Sequence, residues 1–174
     1  MNFEQYQKEG VISILQKTEK IKYIEFHKEF YKDDLNVSEK LLTISPRWSI
    51  ISGYYAMHDT AKLYLAEQHD LKISERGVHL AVIVALKHIL SDSSVKEQAI
   101  KLLTEAEKTY EIFASPLKER IIPLILSKGR DEREKSQYYS VTAEKAAIGK
   151  SMEFLEKIVK PFIEIMEKMM KNDA

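Results

Sequence analysis

The chain has 174 residues, of which 44% are hydrophobic and 31% charged, and its 27 basic side chains balance its 27 acidic ones. This length and composition are typical of one globular domain with a single core. The absence of cysteine excludes disulfides, thiolate zinc sites, iron–sulfur clusters and cysteine nucleophiles. The zero net charge argues against a large sequence-independent nucleic-acid footprint but is compatible with a local basic patch.

Apolar runs in this sequence are short. The polar residues 1–5 lack the hydrophobic stretch of a signal peptide, and charges interrupt each later stretch before it reaches membrane-spanning length. We therefore expect a cytoplasmic protein without a membrane segment. Only 5 Gly and 4 Pro punctuate the chain, which is too few turn residues for a many-stranded sheet. The sequence predicts an all-α fold in a single domain over 1–174, with 1–44 as an N-terminal helical extension packed on the core.

The first predicted element is an amphipathic helix over about residues 3–32. The acidic pair at 33–34 is expected to end it, and residues 35–44 are predicted as a short helix or an ordered connection. The apolar positions of the first helix follow helical spacing, with Lys and Glu between them: Val11, Ile14, Leu15, Thr18, Ile21 and Ile24.

Ser45 and Pro46 predict the start of a second long helix, because serine can cap free amides and proline in the first turn loses no hydrogen bond. We expect this helix to run to about His69. Gly53 leaves a low spot where another helix can approach closely. The inward face repeats at intervals of three and four residues: Ile51, Tyr54, Tyr55, His58, Ala61 and Leu65.

A loop is predicted over residues 72–77. The following run, 79–90, is apolar nearly all round, which favours a central buried helix over a strand. Ser94 and Glu97 match a capping box and predict that the next helix begins there and continues to about Ala114.

Residues 115–116, Ser-Pro, repeat the earlier start signal, and the helix that they open should kink or restart at Pro123. A last helix is predicted over about 142–171, with a bend at Pro161. Apolar side chains form a regular seam along it: Ile148, Met152, Leu155, Val159, Phe162, Met166 and Met169.

Residues 127–140 break the apolar pattern and concentrate charge beside a tyrosine pair. Arg130 and Arg133 offer guanidinium groups for phosphate oxygens, and Tyr138 and Tyr139 offer aromatic faces on which bases can stack. Three carboxylates in the same segment offset the positive charge. On composition alone, a solvated loop with its tyrosines packed inward is the simpler interpretation.

Two of the five histidines stand out. His58 lies on the apolar face of the second helix and His79 opens the buried one, although histidines in such places more often bond a carbonyl or cap a helix than bind a ligand. Arg76 and His79 could hold an anion at the helix start, while simple capping also explains them. Phosphate loops, metal-binding histidine pairs and serine nucleophile elbows are missing from the sequence, so no metal or cofactor is expected.

The segment 48–62, with Tyr-Tyr-Ala-Met-His at 54–58, resembles the HEPN superfamily (higher eukaryotes and prokaryotes nucleotide-binding), in particular its small stand-alone prokaryotic members. The charged loop with an arginine, the tyrosine pair at 138–139 and the Ala-rich helix after it are similar to that family too. The resemblance covers about 45–160 and is strongest over 48–90. It implies an up-and-down bundle of about five to six helices, frequent homodimers, and a small nucleotidyltransferase as a common partner.

Active members of that family carry an arginine followed four to six residues later by a histidine, and two such sites meet across a dimer to cut RNA. In this chain Tyr138 follows Arg133 at that distance, so the family's histidine is missing. We therefore expect a nucleotide- or RNA-binding or interaction module of a toxin–antitoxin or defence type. The residues expected to bind are Arg130, Arg133, Tyr138, Tyr139, Tyr54, Tyr55 and His58, with Arg76 and His79 as a possible anion site.

Two alternatives stay open. One is an active, metal-independent endoribonuclease that combines Arg133 and Tyr138 with a histidine from elsewhere in the fold or from a second subunit. The other is a helical scaffold that binds only protein through its Met-rich end, formed by Met152, Met166, Met169 and Met170.

Overall fold

A computed structural model of the chain describes residues 2–74, 78–126 and 141–172. The described residues are overwhelmingly helical, which confirms the predicted all-α helical bundle. The elements, in chain order, are α1 (Phe3–Lys8), β1 (Ile12–Ile14), α2 (Lys17–Leu41), α3 (Pro46–His69), β2 (Leu71–Ile73), α4 (Val78–Ile89), α5 (Ser93–Leu126), α6 (Val141–Phe154), a π-helical turn (Leu155–Val159) and α7 (Lys160–Asn172).

The N-terminal region departs from the single helix predicted over 3–32. Helix α1 ends at Lys8, and Gly10 follows in the left-handed region, at a φ of 69°, which glycine adopts without steric cost. The β-branched residues after it form β1, which pairs antiparallel with β2 so that Ile12 lies opposite Ile73. The predicted loop over 72–77 is therefore wrong at its start, where the chain is a strand.

Helix α2 continues through the acidic pair at 33–34, which was expected to end it, and it includes most of the predicted connection over 35–44. Packing against α3 explains this difference. The Ser38 hydroxyl donates to the Ser49 carbonyl at 2.8 Å, and the Ser49 hydroxyl donates back to the Ser38 carbonyl at 2.7 Å. These buried bonds hold the last turns of α2 on α3, and tertiary contacts of this kind override weak local preferences.

Helix α3 begins at Pro46 and ends at His69, as the sequence predicts, although the Ser45 side chain makes no capping hydrogen bond. The low spot at Gly53 is also confirmed. A Cβ atom there would lie 3.0 Å from the Ser38 hydroxyl and 3.1 Å from a methyl group of Val159. Gly53 is thus a position at which both α2 and the C-terminal helices pack closely on α3.

Helix α5 begins differently from the prediction. Asp92, rather than Ser94, provides the cap, because its carboxylate accepts from the amides of Ser94 at 2.8 Å and Val95 at 3.1 Å. The helix then runs through 115–116 and Pro123 to Leu126, so the second start and the restart predicted there are wrong. A proline removes one backbone hydrogen bond, and the remaining bonds of this long helix continue on both sides of it.

The C-terminal helices form one continuous stretch from Val141 to Asn172, close to the prediction. Its π-helical turn lies directly before Pro161, where a bend was expected. A π turn is wider than an α turn, which gives room for a proline ring that would crowd the preceding turn. Four residues of the predicted seam are buried in the core: Leu155, Val159, Phe162 and Met166.

Helix α3 is the central element, with α2, α4, α5 and the C-terminal helices packed around it. The core also includes Phe3 and Tyr6 of α1 and Ile12 of β1, so the N-terminal residues belong to the same hydrophobic cluster as the rest. Among the residues that the structure describes, none of the helices has both the length and the apolar character that crossing a membrane requires.

Candidate functional site

The structure brings together four of the residues that the sequence singles out. They are Tyr54, Tyr55, His58 and His79, and Tyr110 of α5 joins them. We call these five residues the tyrosine–histidine cluster. The other predicted site residues lie outside the described part of the chain: Arg76, Arg130, Arg133, Tyr138 and Tyr139.

Helical spacing places two members of the cluster on one face of α3. Tyr54 and His58 are one turn apart and their rings pack edge to face, with centroids 4.5 Å apart. His79 reaches them from the first turn of α4. Its Nδ1 lies 2.7 Å from the Tyr54 hydroxyl and 3.4 Å from His58 Nε2. The two helices are therefore joined by polar groups as well as by apolar packing.

Tyr110 completes the cluster from α5. Its ring stacks on Tyr54, with centroids 4.3 Å apart and ring planes 18° from parallel. Its hydroxyl lies 3.3 Å from that of Tyr55. Tyr54 is fully buried, whereas Tyr55 is 41% exposed. The cluster thus has a closed interior and one aromatic ring that solvent or a ligand can reach.

Burial keeps the interior of the cluster neutral. It holds the pKa of His58 well below the ordinary value, and the nearby charges of His79 and Lys62 lower it further. Burial likewise raises the pKa of Tyr54, and it raises the pKa of Tyr55 to about 12, with the hydrogen bond to Tyr110 as a further cause. At neutral pH these three side chains therefore offer hydrogen bonds rather than charges.

His58 carries an unsatisfied nitrogen. Of the buried side-chain nitrogen and oxygen atoms that the structure describes, only His58 Nδ1 has no hydrogen-bond partner. Whichever ring nitrogen holds the proton, the Nδ1 position stays unpaired, at a cost of about 1–3 kcal/mol for a buried polar group. The predicted alternative of a histidine bonded to a carbonyl or capping a helix does not describe His58, because its bond runs from Nε2 to another imidazole.

Exposed aromatic side chains are also found on α3 and α2 outside the cluster. Trp48 lies two turns before Tyr55 on α3 and is 49% exposed. On α2, Phe26 and Phe30 are about half exposed and stack on each other at 4.2 Å. Asp34, one turn beyond Phe30 on α2, is near enough to Tyr55 to raise its pKa. We call Phe26, Phe30, Trp48 and Tyr55 the aromatic face.

Tyr110 could not be selected from the sequence, because its role depends on which helix packs beside Tyr54. The available signal was its spacing of four and seven residues from Ala106 and Leu103, which marks it as inward-facing.

Neither a protein-family model, nor a curated protein, nor a solved structure matches this chain. Within the described residues, no group of three or more histidine, aspartate or glutamate side chains is placed to hold a metal ion. The candidate site is therefore characterised by its own geometry.

Proposed function

We propose that this chain is a HEPN-like module of a prokaryotic toxin–antitoxin or defence type that binds single-stranded RNA or a nucleotide. The observation that carries the proposal is the half-exposed ring of Tyr55, which the hydroxyl contact with Tyr110 holds at the edge of a neutral tyrosine–histidine cluster. An aromatic ring held in place at a surface is a platform on which a base can stack.

The aromatic face supports this proposal because single-stranded nucleic acids are bound largely by stacking. Each base that stacks on an aromatic ring contributes about 1–3 kcal/mol, and stacking tolerates different sequences. Tyr55 and Trp48 expose their rings on α3, and Phe26 and Phe30 expose theirs on α2. We assign phosphate contacts to the arginines of the sequence after α5, Arg130 and Arg133, since guanidinium groups pair with phosphate oxygens.

The experiment is a fluorescence-anisotropy titration of a labelled single-stranded RNA at two salt concentrations. Tyr55→Ala should weaken binding about fivefold or more, which corresponds to one lost stacking contact. Arg133→Ala should weaken binding and also lower the slope of log affinity against log salt by about one. Ile112→Ala is the matched control, because Ile112 is 68% exposed on α5 but lies outside the cluster.

Two results would contradict the proposal. One is the absence of binding by the unmodified chain at low salt. The other is an equal loss of affinity in Tyr55→Ala and Ile112→Ala, which would show that the cluster has no special part in binding. Thermal melts of all variants exclude misfolding as the cause of a loss.

An endoribonuclease is the second candidate, and His79 favours it. The family's histidine is missing after Arg133, but the structure places His79 in the cluster with Nδ1 beside the Tyr54 hydroxyl. In this mechanism His79 takes the proton of the ribose 2′-hydroxyl while the 2′-oxygen bonds to phosphorus. The bond from phosphorus to the 5′-oxygen breaks, and the 5′-oxygen leaves with a proton from water, while Arg133 and Tyr138 bind the phosphate. Cleavage of RNA in EDTA that is lost in His79→Ala but kept in His88→Ala, a change of an exposed histidine on the same helix, would establish the activity.

The scaffold alternative has less support from the geometry. Met166 is fully buried in this chain's own core, and Met169 and Met170 pack against that core. Of the four methionines considered for a partner seam, only Met152 is half exposed.

The homodimer and the small nucleotidyltransferase partner stay predictions from the resemblance. Sedimentation velocity at micromolar concentration tests the homodimer, and a single species of 20.2 kDa would contradict it. Co-purification with a nucleotidyltransferase encoded by the neighbouring gene tests the second partner.

A further inference from the structure

A cavity of about 410 Å³ lies beside α2, α3 and β2, away from the tyrosine–histidine cluster. Three lysines line it, one from each of these elements: Lys22, Lys62 and Lys72. Tyr23 and His27 form much of the remaining wall. We call it the lysine cavity. None of these residues was singled out in the sequence as part of a site.

His27 adds a buried polar side chain to the lysines that line the cavity. This side chain is only 4% exposed, and its Nδ1 lies 2.8 Å from the Asp59 carboxylate. The rings of Tyr23 and Phe26 pack edge-on against the imidazole, with centroids 4.3 and 5.1 Å from it. The imidazole is therefore held in one orientation. Its second nitrogen, Nε2, has no hydrogen-bond partner among the described residues.

The three lysines of the cavity wall differ in the carboxylates beside them. Lys72 pairs with Glu19 at 2.8 Å, and Lys62 lies 3.8 Å from Asp59, which also bonds His27. Among the described residues, Lys22 makes no ion pair with a carboxylate. A doubly charged anion fits this wall better than a single carboxylate does, because it can contact Lys22 while it also attracts the ammonium groups of Lys62 and Lys72.

We propose that the lysine cavity binds a phosphate ester. Lysine is a common phosphate-binding residue that acts as a point charge, so three lysines on separate elements can surround one phosphate group. One proton is shared between His27 Nε2 and a phosphate oxygen, because Asp59 holds the other ring nitrogen. The cavity is much larger than a phosphate group, and an organic substituent can lie against the aromatic wall.

This site goes beyond the RNA-binding proposal and does not depend on it. The two proposals can fail separately through Tyr55, which belongs to the aromatic face and is absent from the cavity wall, whereas Phe26 belongs to both. Tyr55→Ala should therefore leave the binding of either phosphate compound unchanged while it weakens RNA binding.

Isothermal titration calorimetry of the full chain with inorganic phosphate and with phenyl phosphate tests the proposal. Both should bind, and phenyl phosphate should bind more tightly. Lys22→Ala and Lys72→Ala should each lower the affinity about tenfold, as expected for the loss of one charge-assisted contact. Lys28→Ala is the matched control, because Lys28 is exposed on α2 and is absent from the cavity wall.

Two substitutions of His27 separate its binding role from a structural one. His27→Gln places an amide near the position of Nε2 and should keep part of the phosphate affinity. His27→Asn can keep the hydrogen bond to Asp59 but removes the group at Nε2, so it should lose more affinity while it melts at a similar temperature. Equal affinity in these two variants, an equal loss in Lys28→Ala and Lys22→Ala, or no heat of binding with either compound would overturn the proposal.

Discussion

Asp34 has a carboxyl group that the fold makes difficult to ionise. Burial, together with the charges of Asp59 and Asp33, raises its pKa to about 6. Because its pKa in the unfolded chain is near 3.8, the folded state binds this proton more tightly. The stability that the protonated group contributes is complete below about pH 4, and it is lost as the pH rises through 6. At neutral pH the ionised Asp34 therefore destabilises the fold.

We expect Asp34→Asn to increase the free energy of unfolding at pH 7.5 by about 1 kcal/mol, a value reduced from the full pKa shift because the group is only half buried. Most of this gain should disappear by pH 4. Urea denaturation at both pH values measures it, with Glu29→Gln as the control, because Glu29 is exposed on α2 and does not contribute to the raised pKa of Asp34. An equal gain at both pH values would show that charge is not the cause.

The sequence could predict the part of the site that a single helix arranges. Tyr54 and His58 share a face of α3 because of their spacing, and the resemblance drew attention to the same segment. Tyr110 and His27 could not be predicted, because their roles come from α5 packing on α3 and from α2 placing an imidazole beside Asp59. Contacts between distant residues have no local signal.

Among the helices, a close approach lies at Gly53, where α2, α6 and the π-helical turn meet α3. A methyl group there would press on Ser38 and Val159, and also on Phe154 at 3.3 Å. All three of these neighbours are buried side chains, which cannot move without disturbing others. Gly149 of α6 is the opposite case, since a Cβ atom there would meet nothing within 4 Å.

We expect Gly53→Ala to lower the free energy of unfolding by about 1–3 kcal/mol, because overpacking outweighs the better helix propensity of alanine. Gly149→Ala should raise it by about 0.5–1 kcal/mol, since only the propensity term applies there. Thermal and urea denaturation of both variants make the comparison. A stabilising Gly53→Ala would mean that α2 and the C-terminal helices can separate at little cost.

Element boundaries were predictable where a local signal is strong. Pro46 fixes the start of α3, and the apolar run at 79–90 gives α4. The prediction failed for β1, whose strand exists because it pairs with the distant β2. It also failed in α5, where Pro123 lies inside a helix that is long enough to continue on both sides. Composition alone could not indicate that residues 12–14 form a strand or that Pro123 lies inside a helix.

At the scale of the whole molecule, the N-terminal residues contribute buried side chains to the hydrophobic core. Ile12 is 1% exposed, and Phe3 stacks on His88 of α4 with centroids 3.9 Å apart. The predicted extension over 1–44 therefore supplies one wall of the hydrophobic cluster. This follows from pairing of β1 with β2, which carries the chain from α1 across to the end of α3.

We expect Ile12→Ala to destabilise the whole protein by about 2–4 kcal/mol, through the loss of buried side-chain volume. Ile14→Ala, two residues further along the same strand, should cost less than about 0.5 kcal/mol because Ile14 is 67% exposed. If unfolding is followed by probes in different parts of the chain, Ile12→Ala should lower the unfolding midpoint that each probe reports by the same amount. A transition confined to the N-terminal segment would show that it folds apart from the bundle.

Lys62 acts on both candidate sites, since it lines the lysine cavity and its charge also lowers the pKa of His58. An anion that neutralises this ammonium group makes it easier for His58 to accept a proton. Thermodynamic linkage requires the reverse effect to be equal, so protonation within the cluster must change the affinity of the cavity by the same factor. Through the Lys62 side chain, binding of an anion in the lysine cavity and protonation of His58 are thus coupled, although the anion and the proton do not contact each other.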